Sequence, residues 1–262
     1  MKKILSILII LTGLFIGCAK QQQGLTIING VLSVGVEIGY PPMEYYDTDG
    51  KTPLGFDIEL TKAIADRLNL KVNYIDTSWD GILAGVQTGK YDLAVNVTVL
   101  PERQKVLNFT KPYIDNSMTI VLHKDSSIKI EKPEDIEGRG VAFQADTTAE
   151  YFTVKLRDQG IKFTPYYYDK ILNCFDDLTL RRVDLIVVDS LVAADYAGKE
   201  DSPFVIGWQG PTDETIGMAL KKGNDALTGA IDNTLDELFA DGTMLRISQK
   251  IFNRDMVSSV RK

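Results

Sequence analysis

Polar and aromatic side chains stand at five places where short apolar segments of this sequence end. These places are residues 37–40, 78–79, 96–103, 144–148 and Asp189. Together they offer an arginine, carboxylates, hydroxyls and aromatic rings, but no histidine, thiol or glycine-rich phosphate loop. This set fits the binding of a zwitterion, a small molecule that carries one carboxylate and one ammonium group.

Arg103 and Asp189 supply the two opposite charges that a zwitterion requires. Arg103 can hold a carboxylate through two parallel hydrogen bonds, and the Thr98 hydroxyl can fill another of its lone pairs. A helix that begins at Thr147 or Thr148 would direct main-chain N–H groups and a partial positive charge at the same carboxylate. Asp189 can accept the ammonium group.

Tyr40 and Trp79 can enclose the rest of the ligand between their rings. Each residue also has a structural alternative that the sequence leaves open. Arg103 stands in a charged run of the kind found on solvated surfaces. Asp189 can cap the helix that follows it, and isolated aromatic residues usually belong to the core. The joint position of these residues at strand ends favours the binding role.

An alternation of β-branched runs and helical periods predicts a βαβ fold. Residues 55–70 predict an amphipathic helix with Asp57 as its cap and Asn69 at its end. The remaining elements of this half are a strand over residues 71–75, a helix closed by Gly89, a buried strand over residues 91–97 and a helical turn opened by Pro101.

The same pattern begins again near Gly138. Its elements are strands over residues 138–144, 162–168 and 183–190 and helices over residues 147–160 and 170–180. Thr147 and Glu150 have the spacing of a capping box, which gives this helix start a structural explanation too. Two such blocks predict two lobes, connected by strand-like runs near residues 117–124 and 214–222. Ligands of open parallel sheets bind at the carboxyl ends of the strands, where the polar clusters stand.

The first residues predict a secretory signal rather than part of the fold. Lys2 and Lys3 precede an apolar run over residues 4–16 that is too short to span a bilayer. Its end, LFIGCAK, resembles the bacterial lipobox, in which the cysteine becomes a diacylated N-terminus. We expect residues 1–17 to be a signal peptide, Cys18 to carry lipid and residues 18–26 to form a tether. A plain secreted protein is the alternative.

Composition argues against several classes of function. The chain has 262 residues and a formal charge of −7, and no long basic stripe, which argues against a nucleic-acid partner. With lipid on Cys18, Cys174 is the only thiol of the folded body, so we expect no internal disulfide. The single histidine, His123, is expected to be a surface or packing residue, and no metal or other cofactor is expected.

Five segments carry a resemblance to one protein family. They are GYPPMEYYDTDGKTPLGFDIELTKAIADRL, SWDGILAGVQTGKYDLAV, TVLPERQKVLNFTKPY, AFQADTTAEYF and VDLIVVDS. The chain resembles the extracytoplasmic solute-binding proteins that deliver polar amino acids to ABC importers. The resemblance implies an α/β fold of two lobes, the type II periplasmic-binding-protein clamshell, in which each lobe is a mainly parallel sheet flanked by helices. Two crossover strands would join lobe 1, residues 27–118 and 214–262, to lobe 2, residues 119–213.

The resemblance also implies a role for the charged site residues. Arg103 would bind the α-carboxylate of the ligand, together with Thr98 and the main chain of Thr148. Asp189 would hold the α-ammonium group with the main-chain carbonyl of Asn96.

The remaining residues would contact the body of the ligand. Tyr40 and Trp79 would stack on it, whereas Glu37 and Gln144 occupy positions from which the family reads the side chain. Thr147 and Val97 complete the implied set. A carboxylate at Glu37 favours arginine, lysine, histidine, glutamine or cystine, with an exposed strand-end glutamate as the equal alternative.

Three positions depart from the family pattern and leave the ligand open. Asn96 replaces a small residue, Leu100 stands where threonine is frequent, and Asp146 replaces a common glycine. The alternatives are a dehydratase of the same fold, with Glu37 or Asp146 as its acid, and a ligand-sensing lipoprotein. The favoured interpretation is a non-enzymatic, monomeric receptor, lipid-anchored in the periplasm or on the outer face of the cytoplasmic membrane, that serves an ABC permease.

Overall fold

The computed structural model describes residues 24–261, so the predicted signal peptide and Cys18 lie outside the described residues. Two β-sheets flanked by helices form the architecture. The strands are β1 (Val31–Val36), β2 (Tyr45–Tyr46), β3 (Pro53–Leu54), β4 (Lys71–Asp76), β5 (Leu93–Thr98), β6 (Leu107–Phe109), β7 (Ile114–Asn116), β8 (Met118–His123), β9 (Gly140–Gln144), β10 (Thr164–Tyr168), β11 (Leu185–Asp189), β12 (Phe204–Gln209) and β13 (Glu214–Lys221). The helices are α1 (Phe56–Arg67), α2 (Trp79–Thr88), α3 (Pro101–Val106), α4 (Thr148–Asp158), α5 (Ile171–Thr179), α6 (Ser190–Ala197), α7 (Asp225–Ala240) and α8 (Thr243–Phe252).

Each sheet combines parallel and antiparallel strands. The first has the order β4-β1-β5-β13-β6, with β7 also paired to β13. In it β1 is parallel to β4 and β5, whereas β13 is antiparallel to β5, β6 and β7. The second has the order β10-β9-β11-β8-β12, with β9 parallel to its neighbours and β8 antiparallel to its own.

All strands run in one direction except β13 in the first sheet and β8 in the second, so the expectation of mainly parallel sheets is confirmed. The chain passes between the sheets before β8 and again before β13, and each of these strands enters its sheet against the direction of its neighbours. The predicted lobe boundaries at residues 118 and 213 fall at these two passages and stay a prediction.

The predicted cap of helix α1 is also wrong. Gly55, not Asp57, is the N-cap, and it has a left-handed φ of 124°. A Cβ atom at position 55 would lie 2.1 Å from the carbonyl oxygen of Met43, so this close approach of two chain segments excludes a capping side chain. Asp57 is instead fully buried in the first turn, where its Oδ1 accepts a hydrogen bond from the Tyr113 hydroxyl at 2.6 Å.

The predicted capping box at the start of α4 does not form. Thr147 is the N-cap, but its hydroxyl donates to the carbonyl of Gln144 at 2.7 Å and makes no bond with the helix N–H groups. The Glu150 carboxylate accepts from the main-chain N–H of Asp146, one residue earlier than predicted. Asp146 has a left-handed φ of 60°, a turn that directs its N–H toward the start of the helix.

The C-terminal helices return to the first sheet. Helices α7 and α8 pack against each other and against α1. Cys174 is buried and forms no disulfide with another described residue. Between residues 24 and 261, no helix has the length and apolar character needed to cross a membrane.

Candidate ligand-binding site

A small cavity lies where the carboxyl ends of β1, β5, β9 and β11 meet. Its volume is about 20 Å³, roughly the room that one water molecule needs. The residues that line it are Glu37, Tyr40, Glu44, Trp79, Asn96, Thr98, Arg103, Gln144, Thr147, Thr148 and Asp189. The structure thus brings together every predicted site residue except Val97, and adds Glu44.

Arg103 is a buried cation on the wall of this cavity. It lies in α3 with only 7% of its surface exposed, so it is not the solvated arginine that the charged run allowed. Its Nη1 donates to the carbonyl of Thr98 at 3.2 Å, whereas its buried Nη2 has no hydrogen-bond acceptor. The guanidinium lies 5.5 Å from the centre of the Trp79 ring. Burial lowers the pKa of this guanidinium, so an anion placed at Nη2 would be strongly favoured.

Asp189 is a half-buried anion on the same wall. It stands at the N-cap position of α6, but its side chain makes no capping bond, so the structural alternative for this residue is not realised. Its Oδ2 accepts from the Tyr40 hydroxyl at 2.5 Å, and its Oδ1 accepts from Asn116 Nδ2 at 2.8 Å. Burial raises the pKa of the carboxyl group, and these two hydrogen bonds oppose the rise.

The two aromatic residues occupy different depths. Tyr40 follows β1 and is part of the hydrophobic core as well as of the cavity wall. Trp79 begins α2 on the outer side of the cavity, and its Nε1 donates to the main-chain carbonyl of Asp146 at 3.0 Å. Tyr40 is therefore both a core residue and a wall residue, which the sequence had offered as alternatives.

Glu37 faces the cavity and is not a surface residue. Gln144 Nε2 donates to both of its carboxylate oxygens, at 2.7 and 2.9 Å, and to the carbonyl of Asp169. Desolvation by burial raises the pKa of Glu37 to about 7, although the Gln144 bond and the charge of Lys170 oppose the rise. Near neutral pH this carboxyl group is poised between its charged and neutral forms.

Strand β5 explains which of its residues reach the cavity. Asn96 and Thr98 lie two residues apart and line the cavity, whereas Val97 between them is fully buried beside Ile82. Side chains of a strand alternate between its faces, so the side chain of Val97 cannot share their side. The Val97 prediction is wrong for the side chain.

Glu44 lines the cavity but was missed in the sequence. It lies in the loop between β1 and β2, is 2% exposed, and its main-chain carbonyl accepts from the N–H groups of Gly39 and Tyr40. No periodic pattern marks an acid in such a loop, so its burial follows only from how the loop packs.

Side-chain contacts between residues of the cavity and its rim cross the cleft between the two sheets. They include Tyr40 with Asp189, Glu37 with Gln144, and Trp79 with Asp146. The set contains buried charges and rings but no nucleophile with an adjacent base. Among residues 24–261 no group of histidine, cysteine and acidic residues is arranged to hold a metal ion.

The sequence profile described as bacterial extracellular solute-binding proteins, family 3, matches residues 32–254. The chain belongs to this family. Membership of a solute-binding family confirms the prediction of a binding protein rather than an enzyme.

Individual relatives of this family 3 chain cover most of its length. It is 31% identical to the L-cystine-binding protein TcyJ of Escherichia coli K12 over 87% of this chain and 84% of that protein. It is 27% identical to ABC transporter arginine-binding protein 1 of the same strain, over 84% of this chain and 90% of that protein. An ancestral arginine-binding protein bound to arginine superposes with a TM-score of 0.80 at 34% identity, over 85% and 98% of the two chains. The two-sheet α/β fold is thereby confirmed.

Proposed function

We propose that this protein is an extracytoplasmic receptor that binds a polar L-amino acid in the cleft between its two sheets and delivers it to an ABC importer. The observation that carries the proposal is a pair of opposite charges on the wall of one cavity, the buried Arg103 and the half-buried Asp189. A zwitterion is the ligand whose own two charges match them. The relatives described above, a cystine-binding and an arginine-binding protein, support the same class.

The α-carboxylate of the ligand would bind the guanidinium of Arg103. Nη2 is buried without an acceptor, so a carboxylate there would satisfy a charged donor that is costly to leave unpaired. Thr98 and the main-chain N–H of Thr148, at the start of α4, would complete the anion site.

The α-ammonium group would bind Asp189 and the main-chain carbonyl of Asn96. The Asp189 carboxylate already accepts two hydrogen bonds, but its two oxygens offer about four lone-pair sites, so an ammonium group can be added. The Tyr40 and Trp79 rings would enclose the ligand, and Glu37 and Gln144 would contact its side chain.

Entry of a ligand requires the cleft to open. A cavity of about 20 Å³ does not hold an amino acid, and side-chain contacts across the cleft, such as Tyr40 with Asp189, close it. Residues 27–118 with 214–262 would form one lobe and residues 119–213 the other, hinged at the passages before β8 and β13. The ligand would favour the closed form through its contacts with both lobes.

The lipobox-like end of the signal segment supports attachment at Cys18. Diacylation there, followed by a short tether, would hold the receptor at a membrane surface near its permease. Expression of the full chain with a labelled fatty acid tests this. Label on the wild type and none on Cys18→Ser supports the anchor, whereas equal labelling of both contradicts it.

A ligand panel tests the receptor proposal. Protein unfolded and refolded to remove carried ligand would be heated with each of the twenty amino acids, cystine and ornithine. A ligand at 100 times its Kd adds about 2.7 kcal/mol to the free energy of unfolding. A rise in Tm with one or a few polar amino acids supports the proposal, and no rise with any of them contradicts it.

A further inference from the structure

The cavity wall contains buried oxygen atoms that receive no hydrogen bond. Within residues 24–261 these are Oε2 of Glu44, Oδ1 of Asn96 and Oε1 of Gln144, and the matching unpaired donor is Nη2 of Arg103. The orientation of the Gln144 amide is fixed, because its Nε2 donates to Glu37 and to the carbonyl of Asp169. Buried acceptors without donors are costly. A ligand that satisfies this wall therefore carries one carboxylate and several N–H donors.

Glu44 differs from the other acceptors because a second acid stands behind it. Its carboxyl group is hydrogen-bonded to that of Asp57 in α1, and both side chains are almost completely buried. Neither Oε2 of Glu44 nor Oδ2 of Asp57 receives a hydrogen bond from any donor group of the described chain. Two carboxyl groups in such contact are satisfied when they share one proton.

Within this pair of acids, the shared proton lies on Glu44 and the negative charge lies on Asp57. The Tyr113 hydroxyl donates to Oδ1 of Asp57 at 2.6 Å and itself accepts from the main-chain N–H of Asn96 at 2.9 Å. This donor stabilises the charge on Asp57, so Glu44, on the cavity side, carries the shared proton. Burial first, and then the charge of Asp57, raises the pKa of Glu44 well above its ordinary value.

We propose that Glu44 is a specificity-determining residue that receives the cationic side chain of the ligand, and that this cation displaces the proton Glu44 shares with Asp57. The proposal rests on the proposed function. With a cationic amino acid L⁺ the step is L⁺ + Glu44-COOH → L⁺·Glu44-COO⁻ + H⁺, and the proton goes to solvent. The ligand's N–H groups then donate hydrogen bonds to Glu44, and the Tyr113 hydroxyl donates to Asp57. Each carboxylate therefore has a donor.

Several titratable or charged groups lie near Glu44, and an experiment must separate their proton release from that of Glu44. They are Asp57 from α1, Glu37 after β1, Tyr40 in the same loop, and Tyr113 before β7. Lys170 acts on Glu37, and Arg103 and Asp189 stand on the same cavity wall. Glu37 and Glu214 can also lose a proton near neutral pH, because burial raises the pKa of each to about 7. Glu214 is not among the residues that line this cavity, so it serves as the matched control.

Isothermal calorimetry at pH 7, in two buffers of different ionisation enthalpy, counts the protons released on binding. Arginine is the cationic probe and glutamine the neutral one. We expect wild-type protein to release close to one proton more with arginine than with glutamine. Its affinity for arginine should rise with pH, by up to about tenfold per pH unit. Glu214→Gln should keep this difference, and Glu44→Gln should lose the share that comes from Glu44.

Equal proton release by wild type and Glu44→Gln would overturn the inference. If Glu44→Gln does not fold, Asp57→Asn replaces it. This variant removes the neighbouring charge and offers Glu44 an amide donor, so Glu44 should ionise more readily and the release with arginine should fall. Unchanged release in that variant also overturns the inference. Binding of neutral amino acids alone overturns the inference but leaves the proposed function, whereas binding of no amino acid overturns both.

Discussion

The hydroxyl of Tyr40 donates a hydrogen bond to Oδ2 of Asp189 at 2.5 Å, across 149 positions of sequence. Tyr40 follows β1 of the first sheet, and Asp189 ends β11 of the second. The bond therefore joins the two sheets through the carboxylate that we propose for the ligand's ammonium group. On this proposal, the ligand's ammonium group and the contact between the two sheets use the same carboxylate.

Asp189→Asn should weaken amino-acid binding by about 2 to 5 kcal/mol, because the ammonium group would then be buried without its counter-charge. Tyr40→Phe keeps the ring and removes only the hydroxyl, so its loss of affinity should stay below about tenfold. Titration calorimetry with the amino acid identified by the panel measures both. Equal losses of affinity in the two variants would mean that binding depends on the Tyr40–Asp189 hydrogen bond and not on the negative charge of Asp189.

Arg103→Ala should weaken binding by at least about 2 to 5 kcal/mol, since the ligand carboxylate would lose its charged partner in a buried site. Arg182→Ala is the matched control, because Arg182 is largely exposed and pairs with Asp177 outside the cavity. The same calorimetric titration distinguishes them. A change of less than tenfold for Arg103→Ala would refute its assignment to the carboxylate.

The positions of Arg103 and Asp189 were predictable because strand ends are visible in the sequence. Each follows a short run of apolar residues, and sheet geometry then brings the carboxyl ends of neighbouring parallel strands to one edge. The same periodicity could have excluded Val97, since alternation along β5 places it opposite Asn96 and Thr98.

Glu44 and Asp57 could not be predicted from local pattern. Asp57 stands where an acid usually caps a helix, and Glu44 stands in a loop between Met43 and Tyr45. Their burial results from the close approach of the residue 39–44 loop to Gly55, a contact between segments that no periodicity encodes. Tertiary packing, and not propensity, turned both acids inward.

The free protein should lose stability as pH rises from about 4.5 to about 7. Burial raises the pKa of Glu37 from 4.5 to about 7 in the folded state, so folding favours its protonated form. That stabilisation is complete below the unfolded pKa and is lost as pH rises through the folded pKa, with a magnitude of about 3 kcal/mol. Glu214, whose pKa burial also raises to about 7, acts in the same direction.

Urea unfolding at pH 5 and pH 8 measures this loss, and Glu37→Gln isolates the share of one residue. The variant should lose less unfolding free energy between the two pH values than the wild type does. An identical loss in both proteins would show that Glu37 ionises in the folded protein as freely as in the unfolded chain.

The buried ring of Tyr91 leaves no room for a side chain at two neighbouring positions, Gly35 in β1 and Gly85 in α2. A Cβ at Gly85 in α2 would lie 2.2 Å from the Tyr91 hydroxyl oxygen, and one at Gly35 in β1 would lie 2.4 Å from its Cε2. The ring is 1% exposed and its hydroxyl donates to the carbonyl of Ile82, so it has no space into which to move. Gly85→Ala should therefore destabilise the protein by about 1–3 kcal/mol, the usual cost of overpacking.

Gly229→Ala is the matched control, because Gly229 also lies inside a helix, α7, and a Cβ there would meet nothing within 4 Å. Relief from the low helix propensity of glycine should stabilise this variant by about 0.5–1 kcal/mol. Thermal unfolding of the two variants should thus shift Tm in opposite directions, by about 2–4 °C per kcal/mol for a chain of this size. A rise in Tm for both variants would mean that the Tyr91 ring can move to make room for a methyl group at position 85, and that the packing around this ring is not tight.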